Sequence, residues 1–137
     1  MGKSEGEGNA IFLADPPEVI RKKVMRAVTD AGPTAKNQQK PEPIENLFQL
    51  MKVVSNPDTV SYFDDQYNNC TIRYGDLKKQ LAEDMVSFTS PFREKILALS
   101  ADEAYLHKVA RIGRDKARES SRKTISDVRH IIGFREF

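Results

Sequence analysis

With 137 residues, 39% hydrophobic and 31% charged, and a net charge of +2, the chain has the size and composition of one soluble globular domain. Its longest apolar run, Ala10-Ile11-Phe12-Leu13-Ala14, is far short of the roughly 20 residues that cross a bilayer, and no export signal precedes it, so a cytoplasmic protein away from membranes is expected. A single cysteine, Cys70, excludes an internal disulfide and agrees with a reducing compartment.

Almost every element reads as helix. Residues 1–9, with Gly2, Gly6 and Gly8, read as a mobile Gly-rich loop, and Ala10–Ala14 as an edge strand or a buried connector. Asp15 stands as a helix N-cap, Pro16 at the first helical position and Glu18 as the capping-box partner. The apolar stripe of this first helix is Ile20, Val24, Ala27 and Val28, and Ala31-Gly32-Pro33 stops it. Residues 31–43 form a polar linker. A second helix over about 44–54 carries Ile44, Leu47, Phe48, Met51 and Val54 on one face. Ser55-Asn56-Pro57 breaks it and caps a third helix with Val60, Phe63 and Tyr67, which ends at Asn68-Asn69. A fourth helix, from Tyr74–Asp76 to about Leu99, has the stripe Leu77, Leu81, Met85, Phe88, Phe92, Ile96 and Leu99, with Pro91 expected to kink it. Ser100-Ala101-Asp102-Glu103 reads as a second capping box opening a final helical region to Ile132, stopped by Gly133 and open to division at Gly113. The expected fold is all-α, an irregular bundle of five or six helices.

Charge is unevenly spread. Residues 108–129 carry eight Lys or Arg against three acids, whereas residues 44–70 carry one Lys against four acids. At about 100° per residue, Arg111, Arg114, Arg118, Arg122 and Arg129 share one strip of the last helix. Beside it runs a face of Leu106, Ala110, Gly113, Ala117, Ser121, Thr124, Val128 and Ile131. Five rigid guanidinium forks on one strip suit a phosphate backbone, and equally suit a solvated helix face.

The remaining chemistry is sparse. Gly2-Lys3-Ser4 has the tail of a phosphate-binding P-loop without the Gly five positions earlier or the preceding strand, and Glu5 and Glu7 would repel a phosphate. His107 and His130 are 23 residues apart with only Cys70 to join them, so no metal site is expected. Cys70 reads as a buried or half-buried thiol, although Asn69-Cys70-Thr71 spells a sequon. Tyr62, Phe63 and Tyr67 read as core and rim, and Asp64-Asp65 and Glu83-Asp84 as solvated. No self-contained enzyme is legible.

Met1-Gly2-Lys3-Ser4 resembles the last four positions of the K-M-S-K-S loop of class I aminoacyl-tRNA synthetases, with Gly2 in place of the first serine. The text from Asn9 through Pro16-Pro17-Glu18 to Ala27-Val28-Thr29-Asp30 resembles the stretch after that loop in tryptophanyl- and tyrosyl-tRNA synthetases. Tyr74 to Glu83, Pro91-Phe92-Arg93-Glu94, and Gly113 to Arg118 followed by Thr124, Val128, Arg129 and Gly133 favour the tryptophanyl branch. The resemblance covers essentially the whole chain in collinear order.

It implies the C-terminal part of a bacterial-type tryptophanyl-tRNA synthetase, with the Rossmann half ahead of Met1. Residues 1–14 would be the remnant of the catalytic loop and its connector, and residues 15–43 a helix and linker docked on the absent half. Residues 44–137 would form the helical anticodon-side domain. The parent would join tryptophan and ATP, with Mg2+, into an adenylate and pass the aminoacyl group to tRNA(Trp), working as a homodimer. Lys3 would be the catalytic charge, with Gly2, Lys3 and Ser4 on the ATP phosphates. Arg111, Arg114, Lys116, Arg118 and Arg122 would contact tRNA, and the isolated chain is expected to be inactive. The alternatives are a tyrosyl-tRNA synthetase, a free-standing helical RNA-binding module, or an adaptor using the acidic stretch 44–70.

Overall fold

The computed structural model describes Gly8 and residues 10–134, so most of the Gly-rich loop lies outside the described residues. The chain is all-α, as expected, with five helices and no strand among the described residues. Ala10–Ala14 is a connector: Ile11 packs on the core while Phe12 and Leu13 stay exposed.

Helix α1 (Pro17–Met25) starts later than its sequence suggests, with Pro16 at the cap and no side-chain capping bond. A tertiary demand outcompetes the cap: the Asp15 carboxylate accepts from the Phe12 N–H at 3.0 Å and from Lys23 Nζ at 2.7 Å. The helix also ends before Ala31-Gly32-Pro33. Lys78 Nζ donates to the Ala27 carbonyl at 2.7 Å, occupying an acceptor that a further turn would use. Ile20 and Val24 are therefore buried, but Val28 lies beyond the helix and is 73% exposed.

Helix α2 (Glu42–Val54) buries Ile44, Leu47, Phe48 and Met51, the face read from their spacing. Helix α3 (Pro57–Asn68) opens on Asn56, whose side chain accepts from the Asp58 N–H at 3.3 Å, and it buries Phe63 and Tyr67. Its end is a Schellman turn, with the Cys70 N–H on the Tyr67 carbonyl at 3.0 Å and the Thr71 N–H on the Gln66 carbonyl at 2.9 Å. Cys70 occupies the left-handed position of that turn, φ 58°, and is exposed. The expectation of a buried thiol is corrected: a residue just past a helix end is aimed by its backbone, not by its hydrophobicity.

The linker of residues 31–43 is tied down at its far end. Lys40 Nζ meets Asp64 at 2.6 Å and lies 4.7 Å and 4.9 Å from the ring centres of Phe48 and Tyr67. The Asn37 N–H donates to the Asn68 carbonyl at 3.1 Å.

Helix α4 (Tyr74–Ala101) buries Leu77, Leu81 and Met85, whereas Phe88, Phe92, Ile96 and Leu99 of the same stripe are exposed. It runs through Pro91 without interruption, and the Ser90 hydroxyl donates to the Val86 carbonyl at 2.7 Å in the turn before it. The chain divides into two compact units, the first ending at Lys95 and the second beginning at Ile96. The first holds the core, from Ile20 and Val24 of α1 through α2 and α3 to Met85.

The second unit contains the end of α4 and helix α5 (Glu103–Ile131), which buries no side chain. Asp102, not Ser100, is its cap, accepting from the Tyr105 N–H at 2.9 Å, because Ser100 is still inside α4. Gly113 does not divide the helix. Gly133, φ +74°, ends it: its N–H reaches the His130 carbonyl at 3.3 Å and the Phe134 N–H reaches Arg129 at 2.9 Å.

Candidate functional site

Gly2, Lys3 and Ser4 lie outside the described residues. The segment that joins them to α1 is described. Lys23 Nζ donates to the Ala10 carbonyl and to Asp15 Oδ2, both at 2.7 Å, and stands 5.0 Å from the centre of the Phe12 ring. The Asp15 N–H returns to the Phe12 carbonyl at 3.0 Å, closing the segment into a turn. The Lys23 and Asp15 side chains are only 14% and 15% exposed. Burial alone would raise the Asp15 pKa and is the largest single influence. The Lys23 bond, the Phe12 N–H and the ammonium charge together outweigh it and hold the carboxyl below its ordinary value. Sequence reading missed Lys23 because nothing local marks a lysine that folds back on the segment before its helix.

The basic strip on α5 is continuous. With Gly113 inside the helix, Arg111 keeps its angular place beside Arg118, Arg122 and Arg129. Arg111, Arg114, Lys116, Arg118 and Arg122 are all exposed. Lys116 sits about 140° around the helix from Arg111, so it faces away from the strip. Arg114 is paired with Asp115 at 2.8 Å, and both side chains are more than half exposed. Asp115 and Glu119 border the strip, sharing a shallow depression with Arg118 and Arg122. A run of guanidiniums edged by carboxylates offers anion-binding forks with a partly offset field.

The other candidates are placed as follows. Phe63 and Tyr67 are core and Tyr62 is at the exposed rim. Asp64 and Glu83, expected to be solvated, have side chains 44% and 57% exposed and also carry ion pairs: Asp64 with Lys40, and Glu83 with both Arg21 Nε at 2.7 Å and Arg21 Nη2 at 2.8 Å. Among the described residues no three His, Cys, Asp or Glu side chains gather as a metal site, and no helix is long and apolar enough to cross a membrane.

Residues 1–90 match the family model of tRNA synthetases class I (W and Y). The chain belongs to that family. Among its relatives, the tryptophan–tRNA ligase of Porphyromonas gingivalis is 62% identical over 98% of this chain, and tryptophan–tRNA ligase 1 of Streptomyces coelicolor is 38% identical over 97%. The tryptophan–tRNA ligase of Helicobacter pylori is 34% identical over 97%. The chain spans about two fifths of the length of each of these relatives.

Proposed function

We propose that this chain serves tryptophan–tRNA ligation, as the part of a ligase that carries the phosphate-binding loop lysine and the helical tRNA-binding region. The observation that carries the reading is the 62% identity to the Porphyromonas gingivalis ligase across 98% of the chain. The relatives quoted above are tryptophan ligases, which supports the tryptophanyl branch over the tyrosyl one.

In this reading ATP, with Mg2+, is attacked at its α-phosphate by the carboxylate of tryptophan, and pyrophosphate leaves. Negative charge builds on the phosphate oxygens, and a fixed positive group there lowers the barrier. Lys3 supplies that charge, while Gly2 and Ser4 supply backbone and hydroxyl donors. The α5 strip then holds the tRNA backbone: Arg111, Arg118 and Arg122 lead, Arg114 shares its charge with Asp115, and Lys116 contributes from the side of the helix. Such contacts position the RNA, while the reading of unstacked bases needs other groups. Residues 1–14 and 15–43 are the loop root and the surface that meets the nucleotide-binding half, residues 44–137 are the tRNA side, and the ligase works as a homodimer in the cytoplasm. The chain by itself is inactive, because Lys3 then lacks preorganised partners.

The test is a chimera in which this chain replaces the matching two fifths of the Porphyromonas gingivalis ligase. Tryptophan-dependent exchange of pyrophosphate into ATP is expected, and is expected to collapse in the Lys3→Met chimera. A folded chimera without exchange contradicts the reading.

A further inference from the structure

The end of α5 displays an aromatic ring where a helix end ordinarily hides one. In a helix stopped by glycine, the residue after the glycine usually packs against an apolar residue of the last turns. Here the turn at Gly133 brings the Phe134 N–H to the Arg129 carbonyl at 2.9 Å, and the residue in the packing position is that arginine. Phe134 stays 68% exposed, more than any other aromatic side chain among the described residues. With Ser126, Asp127, Arg129, His130 and Ile131 it lines one open depression. Arg129 lies within about 20° of Arg118 and Arg122 around the helix and about 10 Å beyond Arg122 along it, so the depression continues the cationic strip.

We propose that this depression is a base-binding subsite in which an unpaired anticodon base stacks on Phe134; this rests on the reading of the α5 strip as the seat of the tRNA backbone. Phosphate contacts along the strip place the RNA without choosing its bases. The depression holds what the strip lacks. A ring open to water offers its π-face to a splayed-out base, and unpaired RNA is bound largely by such stacking. Asp127, which when ionised accepts and cannot donate, repels phosphate oxygens and suits a base edge that carries an amino group. Ser126 and His130 add groups that donate or accept. Arg129 ties the subsite to the strip by holding the phosphate beside the stacked base. A wholly apolar partner on the same spot would bury the Asp127 and Arg129 charges without partners, which is costly.

The experiment measures binding of the full chain to the tryptophan tRNA carrying 2-aminopurine at each anticodon position in turn. At one position the fluorescence is expected to be quenched on binding, and Phe134→Ala is expected to restore it and to weaken binding about fivefold or more. The salt slope should not change, because no phosphate contact is lost. Phe134→Tyr, which keeps a ring, is expected to bind as the unsubstituted chain does. Phe134→Leu, which keeps only apolar bulk, is expected to behave as alanine does. Asp127→Asn is expected to reduce the preference for the native anticodon over a swapped one. No quenching at any position, or full affinity in Phe134→Ala or Phe134→Leu, overturns the proposal. Full RNA affinity in Phe134→Ala joined to loss of self-association in sedimentation would assign the ring to a second copy, and equally overturns it. Failure of the reading beneath it looks different: the unsubstituted chain binds no tRNA at low salt, or Arg118→Gln with Arg122→Gln leaves the salt slope intact.

Discussion

Lys40 and Asp64 are 24 residues apart in the chain and 2.6 Å apart in the fold, and the Lys40 ammonium also lies against the rings of Phe48 and Tyr67. One lysine thus binds the end of the connection after α1 to both α2 and α3. The Lys40 side chain is 16% exposed, so its charge is poorly screened and a cation–π contribution of about 1 kcal/mol is in range. Lys40→Met, which keeps the stem, is expected to destabilise the chain by about 1–2 kcal/mol in urea. Hydrogen exchange should show the loss at the Asn37 N–H, which is bonded to Asn68.

Cys70 stands where a helix end wants glycine. A side chain in the left-handed region costs about 1–2 kcal/mol, and glycine gives back about 0.5–1 kcal/mol through its freer unfolded chain. Cys70→Gly is therefore expected to stabilise the protein by roughly 0.5–1 kcal/mol, or about 2–4 °C in melting temperature. Cys70→Ala, which keeps the Cβ at φ 58°, should give no such gain.

Acid should loosen the Ala10–Asp15 turn before it unfolds the core. Folding favours the charged form of Asp15, because its pKa is held below the ordinary value. That stabilisation is complete above the unfolded value of about 3.9 and is lost as pH falls through the lower folded value. Amide exchange at the Phe12 N–H, which Asp15 accepts, should quicken across that window, and Asp15→Asn should abolish the pH dependence.

The α5 strip predicts a graded response to charge removal. Each lost phosphate contact reduces the salt dependence of binding by about one unit in a plot of log affinity against log salt. Arg118→Gln and Arg122→Gln are each expected to do so for tRNA, since both lie on the strip. Lys116→Gln, about 140° around the helix, should change the slope less. Equal effects at all three positions would mean that the RNA wraps the helix.

Local pattern was enough where local forces decide. The spacing of Ile44, Leu47, Phe48 and Met51 gave the buried face of α2, Asn56 capped α3, and Gly133 ended α5. Reading failed where a distant partner intervened. Lys23 took Asp15 away from the cap, and Lys78 took the Ala27 carbonyl and ended α1 early. The stripe from Phe88 to Leu99 has helical periodicity but is exposed, because periodicity shows which face seeks cover and not what covers it. At the sites, the Arg strip was legible from angle alone, whereas the knot at Lys23 depends on a chain reversal that no spacing encodes.

The most direct measurement is a titration of the full chain against the tryptophan tRNA and an anticodon-swapped copy, at two salt concentrations, with helix content followed by circular dichroism. The account predicts binding that weakens steeply with salt and drops when the anticodon is swapped. A helical chain that binds neither RNA at low salt would contradict the assignment of α5 and its flanking helices to the tRNA.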